Sequence, residues 1–347
     1  MMRKFYLLLL IPFQLMAQIP DYYIGIDFTK TGAELEQELS ALVIATHQHE
    51  LIYTPEVWDA LLQTDLDPTN PDKVLLMYGF DDTSENPMDQ RTRSKEESCH
   101  SSNCNGKWVR EHTFPKSLGN PNLGTTGPGS DAHHIRAIDN QKNNSRSNRR
   151  YAAGEGNSFI TSNGMFYPGD EWKGDIARMM MYMQIRYLER TPANVVGSGP
   201  NTYSPEMPDI FLEWNAEDPP TEVEFVRNTV LEDMQGNRNP FIDNPYLATI
   251  IWGGPDAENL WPNMGLEENV PAKTEVFPNP ANSFLKIKSN KQIESVSLYT
   301  ITGRLLFSEI KLKDDSVDVS KYPDGTYILI VNYSDNSRES RKVLVKR

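Results

Sequence analysis

From Gly32 to His49 the apolar residues Leu35, Leu39, Leu42 and Val43 recur at the spacing of one helix face, which predicts an amphipathic helix. Thr54-Pro55-Glu56 offers a cap and a first-turn proline for a second helix through Leu62. Asp65 to Asp72 is rich in Pro, Asn and Asp and reads as a loop. Within Lys73 to Phe80, the run Val74, Leu75, Leu76, Met77 and Tyr78 is short and continuous, as in a buried strand. A polar stretch follows. Trp108 to His112 then reads as a strand that Phe114-Pro115 ends, and Gly119 to Ser130 as an excursion loop. Ala132 to Ile138 reads as the returning strand, with His134 and Arg136 on one face and His133 and Ile135 on the other. Asp139 caps a polar helix over the run N-Q-K-N-N-S-R-S-N.

Further on, Asp170 to Glu189 places Trp172, Ile176, Met179, Met180 and Met183 on one side, a core helix whose methionines serve packing. Ile210 to Asn215 and Val223 to Leu231 read as helices, the latter with Glu222, Glu224 and Arg227 outward, and a short helix starts at Tyr246. From Gly254 to Lys273 the composition is that of a linker. The period then changes to two. Leu285 to Ile287, Ser295 to Tyr299, Arg304 to Phe307 and Thr326 to Tyr333 alternate between turns at Thr302-Gly303 and Pro323-Asp324-Gly325, which predicts a small antiparallel β-sandwich over 274–347. The expected class is therefore α+β: a mostly helical domain over 19–253 built around a strand, loop, strand and helix, followed by an all-β domain.

The N-terminus carries Arg3 and Lys4, an apolar run from Phe5 to Phe13 and a small residue at Ala17. That run is too short to span a bilayer, so 1–17 is expected to be a signal peptide and no stable membrane span is expected. Export makes a disulfide between Cys99 and Cys104 the natural pairing, with a zinc site on Cys99, His100 and Cys104 as the sharper alternative.

Charge changes the picture most. The chain carries a formal net charge of -14, which excludes nucleic-acid binding over its whole surface. Lys107 to Tyr151 nonetheless holds eight basic residues against three acidic ones. This island, with Glu111 beside His112, then His133 and His134, then an Asn/Arg-rich run, is the footprint of a polyanion site. His112 is the candidate general base, Glu111 and Asn143 are candidate ligands of an octahedral cation, and Arg136, Lys142 and Arg146 are candidate phosphate contacts. His134 is a further candidate for orienting the site or binding substrate. A kink between Glu111 and His112 is expected, since neighbours on a strand point to opposite faces.

This order of strand, loop, strand and helix resembles the ββα-metal, or His-Me finger, nucleases. The wording R-E-H-T-F-P-K-S…D-A-H-H-I-R…D-N-Q-K-N-N-S-R-S-N is closest to the secreted bacterial endonuclease I family, and the likeness extends to Gly174-Asp175-Ile176-Ala177-Arg178 and Arg238-Asn239-Pro240-Phe241-Ile242-Asp243-Asn244-Pro245. The resemblance implies an endonuclease acting on DNA, with RNA as a further substrate, that has little sequence preference and leaves 5′-phosphate ends. It implies Mg²⁺ or another divalent cation such as Ca²⁺ or Mn²⁺ on Glu111 and Asn143 and His112 as base; His134 and Arg146 are further catalytic candidates on the residues themselves. Ala137-Ile138 departs from the family wording, where a proline commonly follows the arginine. The segments V-F-P-N-P-A-N, L-Y-T-I-T-G-R and Y-P-D-G-T-Y-I-L resemble the C-terminal sorting domain of type IX secretion cargo. That implies the secretion machinery as a partner and export through the periplasm to the surface or medium, as a monomer. The competing readings are a zinc phosphoesterase built on Asp131, His133 and His134, an inactive polyanion-binding surface protein, and a carbohydrate-binding sandwich.

Overall fold

The computed structural model describes residues 19–261, 274–289, 292–301, 304–310, 316–333 and 338–347; the expected signal peptide and most of the expected linker lie outside them. The chain forms two compact units, one within Met1–Gly265 and the other within Leu266–Arg347.

In the first unit, α1 (Gly32–Thr46) and α2 (Glu56–Thr64) form where the apolar periodicity places them. The expected loop after α2 is instead a hairpin of β1 (Leu66–Asp67) and β2 (Asn70–Leu75), with β3 (Thr92–Ser94) on its edge. Asp67 makes the turn possible by accepting from Thr69 N at 2.9 Å and Thr69 Oγ1 at 2.8 Å. The second strand stops at Leu75 rather than Phe80, and Tyr78 sits at φ 68°. Next come β4 (Trp108–His112), β5 (Ile135–Asp139) and α3 (Asn140–Arg146), with β4 and β5 antiparallel from Trp108 opposite Asp139 to His112 opposite Ile135. The returning strand starts three residues later than expected and runs one residue further, to Asp139. Asp131 accepts from His133 N at 2.9 Å and caps a 3₁₀ turn over Ala132–His134, which takes both histidines off the strand.

A small hairpin of β6 (Phe159–Ile160) and β7 (Phe166–Tyr167) precedes α4 (Lys173–Tyr187), which is buried on nearly all sides rather than along one stripe. α1 and α5 (Asp209–Glu217) pack on it, and α6 (Glu222–Gln235) packs on α2. α7 (Pro240–Asp243) and α8 (Tyr246–Trp252) follow. Glu224 and Arg227, expected to face outward, are both 1 % exposed. Glu224 bonds Arg178 at 2.7 Å, and Arg227 bonds Asp65, because these charges satisfy one another inside the fold. The first part of the expected linker also belongs to this unit. Trp261 is 2 % exposed beside Tyr23, and Leu260 N donates to Asn244 Oδ1 at 3.0 Å.

The second unit contains β8 (Glu275–Phe277), β9 (Phe284–Lys288), β10 (Ile293–Thr300), β11 (Leu305–Ile310), β12 (Ser316–Asp318), β13 (Gly325–Tyr333) and β14 (Arg338–Val345). They make two antiparallel sheets, ordered β11-β10-β13-β14 and β12-β9-β8. Leu285, Ile287, Val296, Leu298, Leu329, Val331, Val343 and Val345 alternate inward from both sheets into one core.

Candidate active site

Glu111 and His112 end β4, and Asn143 and Arg146 lie on α3, the helix that follows its partner strand. These four side chains line one cleft of about 500 Å³. No kink separates Glu111 from His112: both stay paired, opposite Arg136 and Ile135. What brings both to the cleft is the end of the ladder. Arg146 fixes that end, donating through Nη1 to His112 O at 3.3 Å and through Nη2 to Thr113 O at 2.7 Å. Tyr151 Oη donates to the same Thr113 carbonyl at 2.8 Å.

The histidine is held in one tautomer. His112 Nε2 lies 2.9 Å from Gly129 O, and since a carbonyl only accepts, Nε2 carries the proton. Nδ1 is then the lone-pair nitrogen, and no hydrogen bond engages it among the described residues. A side chain at position 129 would disturb this contact, because a Cβ there would meet Gly124 O at 2.4 Å. Burial, reinforced by His134, pushes the His112 imidazole well below its usual range, so the ring is neutral at pH 7.

Glu111 is 2 % exposed. Its Oε1 accepts from Tyr78 Oη at 3.2 Å and lies 3.5 Å from Arg146 Nε, while Oε2 has no hydrogen-bond partner among the described residues. The Asn143 amide, half-buried in the same cleft, also lacks one. One carboxylate and one amide oxygen left unengaged, in a cleft where Glu111 is the one acidic side chain among the described residues, fit a hard divalent cation that keeps part of its water shell. Burial pushes the Glu111 carboxyl up to about 7, against the opposing pull of Arg146.

The Endonuclease I family model matches residues 31–246, nearly all of the first unit. The chain belongs to the endonuclease I family. It is thus a nuclease, a phosphodiester hydrolase, of a family that typically depends on a divalent metal. Two similar proteins are the extracellular ribonuclease of Bacillus subtilis (strain 168), 37 % identical over 68 % of this chain and 80 % of its own length, and that of Bacillus amyloliquefaciens, 38 % identical over 64 % and 75 %. A secretion system C-terminal sorting domain matches residues 275–346 and marks the nuclease for secretion or the cell surface. Among solved structures, CopC from Methylosinus trichosporium OB3b covers 21 % of the chain and 93 % of its own at 18 % identity, with a TM-score of 0.17 that says nothing of the fold. Among the described residues no helix is long and apolar enough to cross a membrane.

Within this endonuclease I domain, several residues expected in the site lie elsewhere. Arg136 is fully buried, bonded to Asp175 at 2.8 Å and Asp65 at 3.2 Å. Two carboxylates hold the fork that phosphate was expected to take. Lys142 turns to Ser158 Oγ at 2.9 Å and does not line the cleft. His134 is buried behind His112, its Nε2 on Pro128 O at 2.6 Å. The zinc alternatives do not assemble. Cys99 and Cys104 form a disulfide, His133 Nε2 is on Asn237 O at 3.1 Å, and Asp131 is taken by Tyr182, Tyr187 and Gln235. No group of three or more metal-ligating His, Cys, Asp or Glu side chains occurs among the described residues.

The sequence reading missed Tyr53, Ser117, Asn122 and Asn148 as cleft residues and gave no role to Arg110 or Lys116, which also line it. Their signal was faint. Arg110 and Lys116 flank the Glu111-His112 pair closely enough to be proposed, whereas Tyr53 comes from a distant loop and is placed by tertiary contacts, chiefly Arg110, whose guanidinium carbon stacks 3.5 Å from its ring centre.

Proposed function

We propose that this nuclease is a divalent-cation-dependent endonuclease that hydrolyses RNA and DNA with little sequence preference. The observation that carries the reading is the His112 ring, fixed through Nε2 on Gly129 O so that Nδ1 is the free base, beside the unengaged oxygens of Glu111 and Asn143. The similar Bacillus proteins are named ribonucleases, which argues for RNA among the substrates.

In this reading His112 Nδ1 takes the proton of the attacking water. Glu111 Oε2 and the Asn143 side-chain oxygen would hold the cation, which would supply Lewis-acid polarisation of the phosphate and charge neutralisation of the leaving 3′ oxygen. Arg110 and Lys116 hold flanking phosphates. Contacts to phosphate rather than to base edges carry no sequence information, hence the low specificity. Arg146 works through the backbone, pinning the carbonyls of His112 and Thr113.

The test is cleavage of supercoiled plasmid and of single-stranded RNA by the secreted protein, in Mg²⁺ and in EDTA, beside His112→Ala. Cleavage of both that requires metal and falls by about a hundredfold or more in the variant is expected. Undiminished cleavage by the variant, or none by the folded wild type under several metals, overturns the assignment.

A further inference from the structure

A second concavity, of about 290 Å³, adjoins the cleft and is lined in part by Tyr53, Trp58, His100, Ser101 and Arg110. Tyr53 and Arg110 line both, and Arg110 directly precedes Glu111 on β4. Planar groups meet there face to face. The Arg110 guanidinium carbon lies 3.5 Å from the Tyr53 ring centre and 4.5 Å from that of Trp58. The His100 ring stacks on Trp58 with centroids 4.0 Å apart and planes 27° apart.

Burial differs sharply along this series. Trp58 is 6 % exposed and belongs to the core, whereas His100 is exposed and carries the aromatic surface outward. Among the described residues the one side-chain hydrogen bond of His100 is with Ser98 Oγ at 3.2 Å. Its position is set by the Cys99–Cys104 disulfide, which closes the loop it stands on, and by Cys99 N donating to Trp108 O at 2.9 Å. A loop of this kind holds the ring in place with one face on Trp58 while the residue stays exposed.

We propose that this concavity is a nucleobase subsite, in which an unpaired base of the substrate strand stacks against His100 while its phosphate lies in the cleft. The inference rests on the nuclease reading and names the form of substrate that the same site favours: a strand with unpaired bases. Stacking on an aromatic and cationic platform suits any base, since every base has a π-face, so the subsite adds affinity without sequence preference. A base inside a duplex is already stacked on its neighbours and must be unpaired before it can enter. The disulfide thereby acquires a role in substrate binding, as the tie that keeps His100 over Trp58.

The experiment measures binding by fluorescence anisotropy in EDTA, so that nothing is cleaved. It compares a labelled five-nucleotide single-stranded oligomer with an abasic oligomer of equal length. Wild type is expected to bind the base-bearing strand about tenfold more tightly, the scale of one base–aromatic contact. His100→Ala, at an exposed position, should abolish the difference, and His100→Tyr should restore it. Equal binding of the two oligomers by wild type, or a preference kept by His100→Ala, overturns the subsite alone. Absence of binding to either oligomer also overturns the subsite, while the nuclease reading beneath it falls only if metal-dependent cleavage is absent.

Discussion

His112 and His134 donate to consecutive carbonyls of one turn: His112 Nε2 reaches Gly129 O at 2.9 Å, and His134 Nε2 reaches Pro128 O at 2.6 Å, with the two rings 5.5 Å apart. The carbonyl that selects the tautomer of the base is therefore itself positioned by the second histidine. His134 does not line the cleft; in the proposed mechanism its part is to hold the 127–129 turn still.

His134→Ala should lower kcat by about tenfold with little change in KM, since misplacing a catalytic group costs rate more than binding. His134→Gln keeps an N–H donor and should recover part of the loss. Rates per folded molecule decide the matter: a loss confined to the folded fraction, with kcat intact, would leave His134 a purely structural residue.

Glu111→Gln and Asn143→Ala should each shift the Mg²⁺ concentration for half-maximal cleavage upward by at least about tenfold. Each side chain offers one oxygen that no protein donor engages among the described residues, and glutamine at 111 keeps an acceptor for Tyr78 Oη, so the substitutions act on cation affinity first. Titrating activity against Mg²⁺ measures the shift. Unchanged midpoints in both variants would move the cation elsewhere.

The parts of this site that could be read from the chain were the contiguous ones. Glu111-His112 at a strand end, and Asn143 one turn into a helix capped by Asp139, follow from local pattern, and Asp139 Oδ1 does accept from Gln141 N and Lys142 N at 2.8 and 2.9 Å. That side-chain cap starts α3 although Ala137, rather than the proline common in the family wording, follows Arg136. Depth was not legible. A count of positive charge between Lys107 and Tyr151 cannot tell Arg110, which lines the cleft, from Arg136, whose partners Asp65 and Asp175 come from segments far away in the chain. The β-alternation assigned to His133 and His134 failed for a local reason, the Asp131 cap that turns 132–134 into a 3₁₀ turn.

Arg136→Met tests the reassignment of that side chain. Removing the cation leaves Asp65 and Asp175 facing each other across a buried space, with Arg227 the remaining cation bonded to Asp65. A loss of about 3–5 kcal/mol in urea unfolding is expected, with KM for a short oligonucleotide unchanged in the folded protein. A raised KM with unaltered stability would return Arg136 to the substrate.

Export should depend on the second unit. A chain ending before Thr274 is expected to accumulate in the periplasm of a host with the matching secretion system, and to retain nuclease activity in lysates, because the cleft lies wholly in the first unit. Recovery of the truncated protein in the medium would contradict the sorting role.

Acid should weaken the fold partly through its buried histidines. Burial pushes His133 down to about 4 despite the nearby Asp131, and His134 likewise to about 4. Above pH 6.5 each ring is neutral whether the chain is folded or not, so the full stability is present. Between 6.5 and 4 the unfolded chain takes up protons that the folded chain refuses, and stability falls with pH. Several buried carboxyls act in the opposite sense over the same window, since burial raises Glu111 and Glu224 to about 7. The wild-type curve alone therefore mixes the two, and a difference between variants isolates one. Asp131 does not intrude. Burial alone would raise its carboxyl, but His47, His133 and the hydrogen bonds from Gln235 and Tyr182 hold it well below the usual range and so below this window. His133→Gln keeps a donor for Asn237 O and removes the titration. On going from pH 7 to 4.5, wild type should lose roughly 2–3 kcal/mol more than the variant in urea unfolding. Equal losses would mean that His133 takes up its proton in the folded state as readily as in the unfolded chain.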